Sequence, residues 1–506
     1  MLFHVPILSL LIWIPILGGF GALLAGRDDN AHRARIVAVV TSLICMALCV
    51  PLYLNFDSNT FAMQFVENVP WITEYNIRYY LGVDGISMPM VILTTFTSMI
   101  VVLAALRAIK TNVSQYMAAF LVMQGLMIGV FAALDSVLFY VFWEGMLIPM
   151  YLCIGVWGGP NRTYASIKFF LYTFLGSVLM LVALLYLHNL SGSFAILDYY
   201  PLKLNITQQV LIFFAFFMAF AVKIPMWPVH TWLPDAHTEA PAGGSVVLAA
   251  LMLKMGVYGF LRFSMPITPD ASQALDWLMI GLSLFAIVYI GLVAIGQTDM
   301  KRLIAYSSIA HMGFATLGCY MVYKIVETTG NMQDAYMSLE GSMVQMISHA
   351  FSTGALFFGI GVLYDRMHTR MIKDYGGVAN KMPMFAAFTM LFAMANVGLP
   401  GTSGFVGEFM ILLSSFRASF WITFFAATTL ILSAAYTLWM FKRVFFGEVA
   451  NDNVAKLKEI EGTEILVLSI LAFTVLFLGV YPEPLLQVLH ASVGHLLTIS
   501  HQTKLV

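Results

Sequence analysis

The sequence contains little charge and no long polar stretch. Only 10% of its 506 residues are Asp, Glu, Lys or Arg, whereas 60% are hydrophobic, and the mean hydropathy is +0.86. This composition excludes a soluble globular protein and is typical of a protein that crosses a lipid bilayer many times. The formal net charge of -1 gives no reason to expect a nucleic-acid partner. The first apolar run lacks a signal-peptide cleavage pattern, so we expect it to span the membrane.

Cysteine is also scarce. Cys45, Cys49, Cys153 and Cys319 all lie inside apolar segments, and none belongs to a CxxC pair. We therefore expect buried thiols rather than disulfides or iron–sulfur ligands.

Long apolar segments dominate what is present. A membrane-spanning helix needs about 20 apolar residues, and the sequence contains fourteen candidates separated by short loops. They lie near 4–25, 36–54, 83–106, 113–132, 136–157, 163–187, 207–224, 241–262, 274–296, 302–322, 336–364, 383–416 (interrupted), 420–441 and 464–486. We predict an all-α polytopic membrane protein in which residues 1–506 form one membrane domain.

Lysine and arginine are unevenly distributed between alternate loops. When the chain is threaded through the membrane along the candidate spans, most of its 25 lysines and arginines fall on one side. Such residues favour the inner side. The bias predicts both chain termini on the outer side, which is periplasmic in a bacterium.

The stretch from Lys223 to Lys254 places two lysines inside apolar segments, on either side of a proline-rich break at Pro225 and Pro228. A charge at the centre of a membrane helix costs about 2.5–3.5 kcal/mol on insertion scales, and such residues usually face an ion path. A broken helix is tolerated at membrane depth only where protein or water satisfies its freed backbone groups. This stretch therefore predicts a transport core.

Two further charges lie inside predicted helices. Glu144 is near the middle of the fifth span, where it is either a buried, hydrogen-bonded acid or a proton-bearing partner of Lys223. We favour the second interpretation, because forming and breaking an acid–lysine pair changes the proton affinity of both groups. Lys168 lies less than two turns from the inner end of the sixth span. It either extends to the interface or modulates Glu144 and Lys223.

Buried histidines extend the pattern. His311 and His349 lie in successive spans rich in Ser, Thr and Gly. A lone buried histidine is usually a packing residue, but two in this setting favour a proton relay. His230, His237 and Asp235 lie in the polar segment after the first break and are less certain members of the path. The histidine spacing fits no common zinc pattern, so we predict no metal site.

A second broken helix follows the first at a distance of five spans. Gly398, Pro400, Gly401 and Gly404 interrupt the twelfth segment, and Glu408 lies just beyond the break. Paired interrupted helices in corresponding positions indicate inverted repeats around a transport path. We predict two inverted five-helix repeats, helices 4–8 in residues 113–262 and helices 9–13 in residues 274–446. Helices 1–3 (1–112) and helix 14 (464–486) lie outside them.

Three motifs carry a family resemblance. They are AVKIPMWPVHTWLPDAHTEAPAGGSVVLAALMLK, QTDMKRLIAYSSIAHMGF and GLPGTSGFVGEFMIL. The chain resembles the antiporter-like subunits of respiratory complex I (NADH:quinone oxidoreductase), roughly from the third span to the thirteenth. The segment FWEGMLIPMYLCIGVWG, and Glu408 where L-type and N-type members usually carry lysine, favour the M-type members of the bacterial enzyme.

The resemblance implies a role for each buried charge in proton translocation. It matches Glu144 and Lys223 to the acid–lysine pair of the first half-channel, Lys254 to the central lysine, His311 and His349 to the continuing axis, Glu408 to the terminal acid, and Lys168 to a modulating base. It also implies no redox centre in this chain, with NADH, FMN, iron–sulfur clusters and quinone held by other subunits. The implied surroundings are a bacterial inner membrane and L-like and N-like neighbours.

Rival interpretations remain at the level of sequence. A subunit of a multi-subunit sodium/proton antiporter would share the same lysines, and a membrane-bound hydrogenase subunit is a third possibility. A purely structural membrane subunit would need none of these charges for transport.

Overall fold

The computed structural model describes residues 5–26 and 30–505. Residues 1–4, 27–29 and 506 lie outside this description. They include both terminal residues and Arg27, one of the 25 lysines and arginines whose distribution predicted the orientation of the chain. The helices, in chain order, are α1 (Ile7–Ala25), α2 (Ala31–Leu54), α3 (Ser87–Ala108), α4 (Val113–Ala132), α5 (Ser136–Gly145), α6 (Leu147–Trp157), α7 (Arg162–Ser191), α8 (Ile206–Lys223), α9 (Trp232–Glu239), α10 (Ala242–Ile267), α11 (Asp276–Ile295), α12 (Met300–Thr329), α13 (Met332–Met367), α14 (Pro383–Val397), α15 (Ser403–Ala418), α16 (Phe420–Phe445), α17 (Thr463–Val480) and α18 (Glu483–Ser500). Short helical turns lie in the connecting loops.

Within the described residues, thirteen helical segments are long and apolar enough to cross a membrane, with α5 and α6 together forming one of them. They fall on the predicted spans. The interrupted twelfth segment is the pair α14 and α15, each of which is short. The last predicted span is shorter than expected: α17 ends at Val480, and α18 begins after Pro482 as a separate helix.

A β-hairpin in the loop after α2 was not predicted. Its strands, β1 (Gln64–Ile72) and β2 (Ile77–Val83), pair antiparallel with Val69 opposite Tyr79. The hairpin also caps α1, because Glu67 Oε1 accepts hydrogen bonds from the backbone N–H groups of Leu8 (2.9 Å) and Ser9 (3.2 Å). These donors are in the first turn of the helix and have no partner within it.

The centre of the molecule is built from α10, α12 and α13. The most apolar parts of these helices are 100%, 89% and 100% buried, compared with 39% for α7 and α16 and 28% for α17. A helix with polar side chains at membrane depth must be surrounded by protein. Lys254, His311 and His349 are on these three buried helices.

A buried ion pair joins the start of α3 to the end of α10. Arg262 Nη2 lies 2.7 Å from Asp84 Oδ1, and both side chains are about 95% buried. The Asp84 carboxylate also accepts hydrogen bonds from the backbone of Ile86 and Ser87. Burial alone would raise the pKa of Asp84, but the charge of Arg262 and these hydrogen bonds lower it below its usual value.

We expect Asp84→Ala to lower the free energy of unfolding by about 3–5 kcal/mol, because it leaves the Arg262 guanidinium buried without a carboxylate. Thermal unfolding of the purified protein measures the effect. Adding Arg262→Met should recover most of the loss, and Asp198→Ala, at an exposed position, is the matched control. An unchanged unfolding temperature for Asp84→Ala would show that the pair does not stabilise the fold.

Candidate functional site

The helix that precedes the first break ends at a lysine. Helix α8 stops at Lys223, and Pro225 and Pro228 prevent its continuation. The indole Nε1 of Trp232 donates a hydrogen bond of 2.9 Å to the Val222 carbonyl, which satisfies one backbone group that the break leaves free. The break is therefore supported by protein, as a discontinuous helix at this depth requires.

Glu144 lies close to Lys223, but the two do not form an ion pair in the described part of the chain. Glu144 accepts a hydrogen bond from Ser177 Oγ. The Lys223 ammonium lies 5.2 Å from the centre of the Trp143 ring, and its Nζ has no hydrogen-bond partner among the described residues. Each charge nevertheless acts on the other. In this structure the two side chains are neighbours without a direct hydrogen bond.

Lys254 lies just after a widened turn of α10. Residues Leu248–Met252 form a π-helical turn, a feature that occurs frequently at functional sites. The Lys254 Nζ donates to the Ala249 carbonyl five residues earlier, at 2.6 Å. It also lies 2.6 Å from His349 Nδ1 on α13. The buried lysine therefore connects α10 to α13.

The two histidines continue from Lys254 to Glu408. The rings of His349 and His311 are 5.7 Å apart between centres. His311 Nδ1 lies 3.0 Å from Glu408 Oε1, and Gln345 Nε2 donates to the same oxygen at 3.1 Å. The side chains of His311, His349, Gln345 and Glu408 are buried and border one small cavity between α12, α13, α14 and α15. Lys254, His349, His311 and Glu408, which we call the central row, form a continuous series of ionisable side chains.

The second helix break brings Glu408 into this row. Gly398 has φ +85°, and a Cβ atom there would lie 2.9 Å from Glu408 Oε2. A side chain at this position would be strained in its backbone and would push against the carboxylate. The glycine therefore allows α14 to end directly against Glu408.

Lys168 forms its ion pair with the first break rather than with Glu144. Its Nζ lies 2.7 Å from Asp235 Oδ2 on α9, and Arg302 lies 3.9 Å from the other carboxylate oxygen. Lys168 and Asp235 are 17% and 24% exposed. Lys168 thus reaches the partly exposed side of the first break, and its modulating role stays a prediction.

The histidines of the polar segment differ in their surroundings. His230 is partly buried, whereas His237 is fully buried and its ring stacks on Phe357 with 4.6 Å between centres. Neither ring nitrogen of His237 has a hydrogen-bond partner in the described structure. Across residues 5–26 and 30–505, no three or more His, Cys, Asp or Glu side chains are grouped so as to hold a metal ion.

A charged cluster at the start of α12 was missed by the sequence argument. Lys301 lies in the first turn of α12, and its side chain is only 5% exposed. Beside it, Arg370 bridges Asp299 (2.6 Å) and Glu239 (3.0 Å). The sequence did contain a signal for the buried position of Lys301. Asp299 precedes an apolar run and caps α12, which places Lys301 in the first turn of that helix.

Two family models match the chain. Residues 133–433 match a model described as NADH:quinone oxidoreductase/Mrp antiporter, TM. Residues 34–132 match a model described as NADH-ubiquinone oxidoreductase chain 4, amino terminus. The first description covers two kinds of complex, and the second names only one.

Similarity to individual proteins extends over nearly the full length. The chain is 46% identical to NADH-quinone oxidoreductase subunit M of Rhodobacter capsulatus over 513 aligned positions, covering 98% of this chain and 97% of that one. It is 42% identical to NADH-ubiquinone oxidoreductase chain 4 of Arabidopsis thaliana, covering 97% and 96%. A chain in the structure of respiratory complex I from Thermus thermophilus with bound NADH superposes with a TM-score of 0.87 at 31% identity, covering 98% and 100%.

Proposed function

The chain belongs to the family of NADH-quinone oxidoreductase subunit M, and from that premise we propose that it moves protons across the membrane through its buried Glu, Lys and His side chains. The family that the motifs predicted is confirmed by full-length relatives. The chain is the M-type membrane subunit of the NADH:quinone oxidoreductase complex, and antiporter-like subunits carry no redox centre. Proton translocation by this chain is therefore coupled to redox chemistry in other subunits.

The observation that carries the proposal is the central row. Lys254, His349, His311 and Glu408 contact one another across four helices at distances of 2.6 Å, 5.7 Å between ring centres, and 3.0 Å. Buried ionisable groups at membrane depth are expensive and mark ion pathways. A packing role for any one of them is plausible, but a continuous series of four is difficult to explain without proton transfer.

Glu144 and Lys223 supply the control element in this proposal. When the pair closes, the carboxylate favours the charged lysine, and when it opens, the lysine gives up its proton more readily. The charge on Lys223 would then control when Lys254 takes up a proton from the inner side. Lys168, with Asp235, adjusts this step from the inner end of α7. His230 is a candidate for the same segment.

Two inverted five-helix repeats would place the path at the centre. The first comprises α4 to α10 and the second α11 to α16, with α5 and α6 counted as one helix and each broken helix counted as one. The broken helix is then fourth of five in both repeats, as expected for related halves. We propose a multi-pass protein of a bacterial inner membrane, about fourteen helices in all, with both termini on the periplasmic side and L-like and N-like subunits as neighbours.

We expect Glu408→Gln to lower NADH-driven proton pumping about tenfold, which corresponds to roughly 1.4 kcal/mol in the barrier. The amide keeps the size of the side chain and its contacts with His311 and Gln345 but does not release a proton. Pumping by inverted membrane vesicles, normalised to the amount of assembled complex, measures the effect.

Glu448→Gln is the matched control for this experiment, because Glu448 is exposed. Unchanged pumping in Glu408→Gln would favour a purely structural subunit. Vesicles that show sodium/proton exchange but no NADH-linked pumping would favour the antiporter interpretation.

A further inference from the structure

A large cavity opens on the face where α3 and α13 end and α7 begins. Its volume is about 610 Å³, and residues of α3, α10, α12 and α13 line it. Its rim includes Arg107 and Arg366, and its floor is formed by Glu239, Ala240 and Lys301. The charge bias of the sequence predicts this face to be the inner one.

Lys301 is held at the floor of the cavity. Its Nζ donates a hydrogen bond of 2.6 Å to the Ala240 carbonyl, at the C-terminal end of α9. The charged groups that act on it are Arg370, Asp299, Glu239 and Asp365. Arg370 is already paired with Asp299 and Glu239. Asp365 lines the same cavity and forms no ion pair among the described residues.

His237 is on α9, three residues before Ala240, whose carbonyl accepts the hydrogen bond from Lys301. The charges of Lys301 and Lys254 both act on its ring, and that of His237 acts on His349. The ring is fully buried. It is fixed by stacking on Phe357, and its backbone carbonyl accepts a hydrogen bond from Ser245 Oγ. Both ring nitrogens lack a protein partner in the part of the chain that the structure describes, so both are free to exchange protons.

We propose that Lys301 is the entry group at which protons from the inner cavity join the central row, and that His237 passes them to Lys254. This proposal rests on the proposed proton-translocating function. The neutral Lys301 amine takes a proton from the aqueous cavity and becomes an ammonium. It transfers that proton to one ring nitrogen of His237, and the other ring nitrogen gives its proton to the neutral Lys254 amine. Lys301 and His237 are neutral at the end of the step, and one proton has moved from the inner cavity to Lys254.

A structural role for Lys301 makes a different prediction. The lysine could simply cap α9 through the Ala240 carbonyl and balance Asp299, Glu239 and Asp365. Arginine provides the same charge and N–H donors but does not lose its proton in proteins. Lys301→Arg therefore retains the structural role and removes the proton-carrying role.

The experiment compares Lys301→Arg with the parent in inverted membrane vesicles. Proton pumping, quinone reduction and the amount of assembled complex are measured on each sample. We expect Lys301→Arg to assemble normally and to lower pumping about tenfold. Lys442→Arg, at an exposed position, should match the parent. Pumping by Lys301→Arg at the parent rate would overturn the proposal.

A second variant keeps the test decisive if Lys301→Arg does not assemble. His237→Phe keeps an aromatic ring against Phe357 but carries no proton, and we expect the same loss of pumping. Parent-level pumping in His237→Phe would also overturn the proposal. If Glu408→Gln loses pumping while Lys301→Arg and His237→Phe keep it, the proposed function stands and only this entry route is wrong.

Discussion

Replacing Lys254 with methionine is expected to lower NADH-driven proton pumping by about 10²-fold or more, the range found for positioned proton-transfer groups. Lys254 is the only link between α10 and the two histidines within the described central row, through its 2.6 Å contact with His349. Methionine fills a similar apolar volume but provides neither a donor nor a proton. Pumping and quinone reduction in the same vesicles measure the effect.

The complex should still assemble with this substitution, because the charge that is removed is costly at membrane depth. Lys456→Met, at an exposed position, is the control and should leave both activities unchanged. Parent-level pumping in Lys254→Met would exclude Lys254 as a proton carrier and would make its contact with His349 a packing contact.

Glu144→Gln and Lys223→Ala should each lower pumping by about 10²-fold. Each leaves the other member of the pair unable to alternate between a paired and an unpaired state. The double variant should be little worse than either single variant, because residues that act as a unit show strongly non-additive effects. The measurement is a double-mutant cycle, in which rates of pumping and of quinone reduction are compared for the parent, the two single variants and the double variant.

Additive losses in this cycle would contradict the coupling. In that case Glu144, which is held by Ser177, would act independently of Lys223. Glu74→Gln serves as the control for the acid, since Glu74 is exposed in the hairpin loop.

Ionisable residues inside apolar runs could be recognised in the sequence because they contrast strongly with their surroundings, and the structure buries Lys223, Lys254 and Glu408 and leaves Glu144 partly exposed. A lysine or glutamate within a lipid-length apolar run is rare, so Glu144, Lys223, Lys254 and Glu408 could be identified without coordinates. The broken helices were equally clear, since Pro225 and Gly398 interrupt otherwise continuous apolar segments. Span boundaries followed from hydropathy in the same way.

Contacts between distant segments could not be predicted from the sequence. Lys254 and His349 are 95 residues apart, and helix periodicity gives no information about which faces meet. For Lys168 the sequence left two alternatives, extension to the interface or modulation of Glu144 and Lys223, and gave no sign of the ion pair that it forms with Asp235 beyond the first break.

Local features driven by tertiary contacts were also missed. The β-hairpin is held by its capping of α1 and by pairing along its own strands. Helix α18 begins where the last apolar run was expected to continue. The predicted span 241–262 ended at Arg262, whereas α10 continues to Ile267 and the ion pair with Asp84 allows Arg262 to be buried.

The most direct test of the account records proton translocation and quinone reduction on the same vesicles for Glu144→Gln, Lys223→Ala and the parent, with the amount of assembled complex determined in each sample. We expect both variants to lose pumping and to show depressed quinone reduction while assembly is unchanged. Parent-level activities in both variants would contradict this expectation and would make Glu144 and Lys223 packing residues.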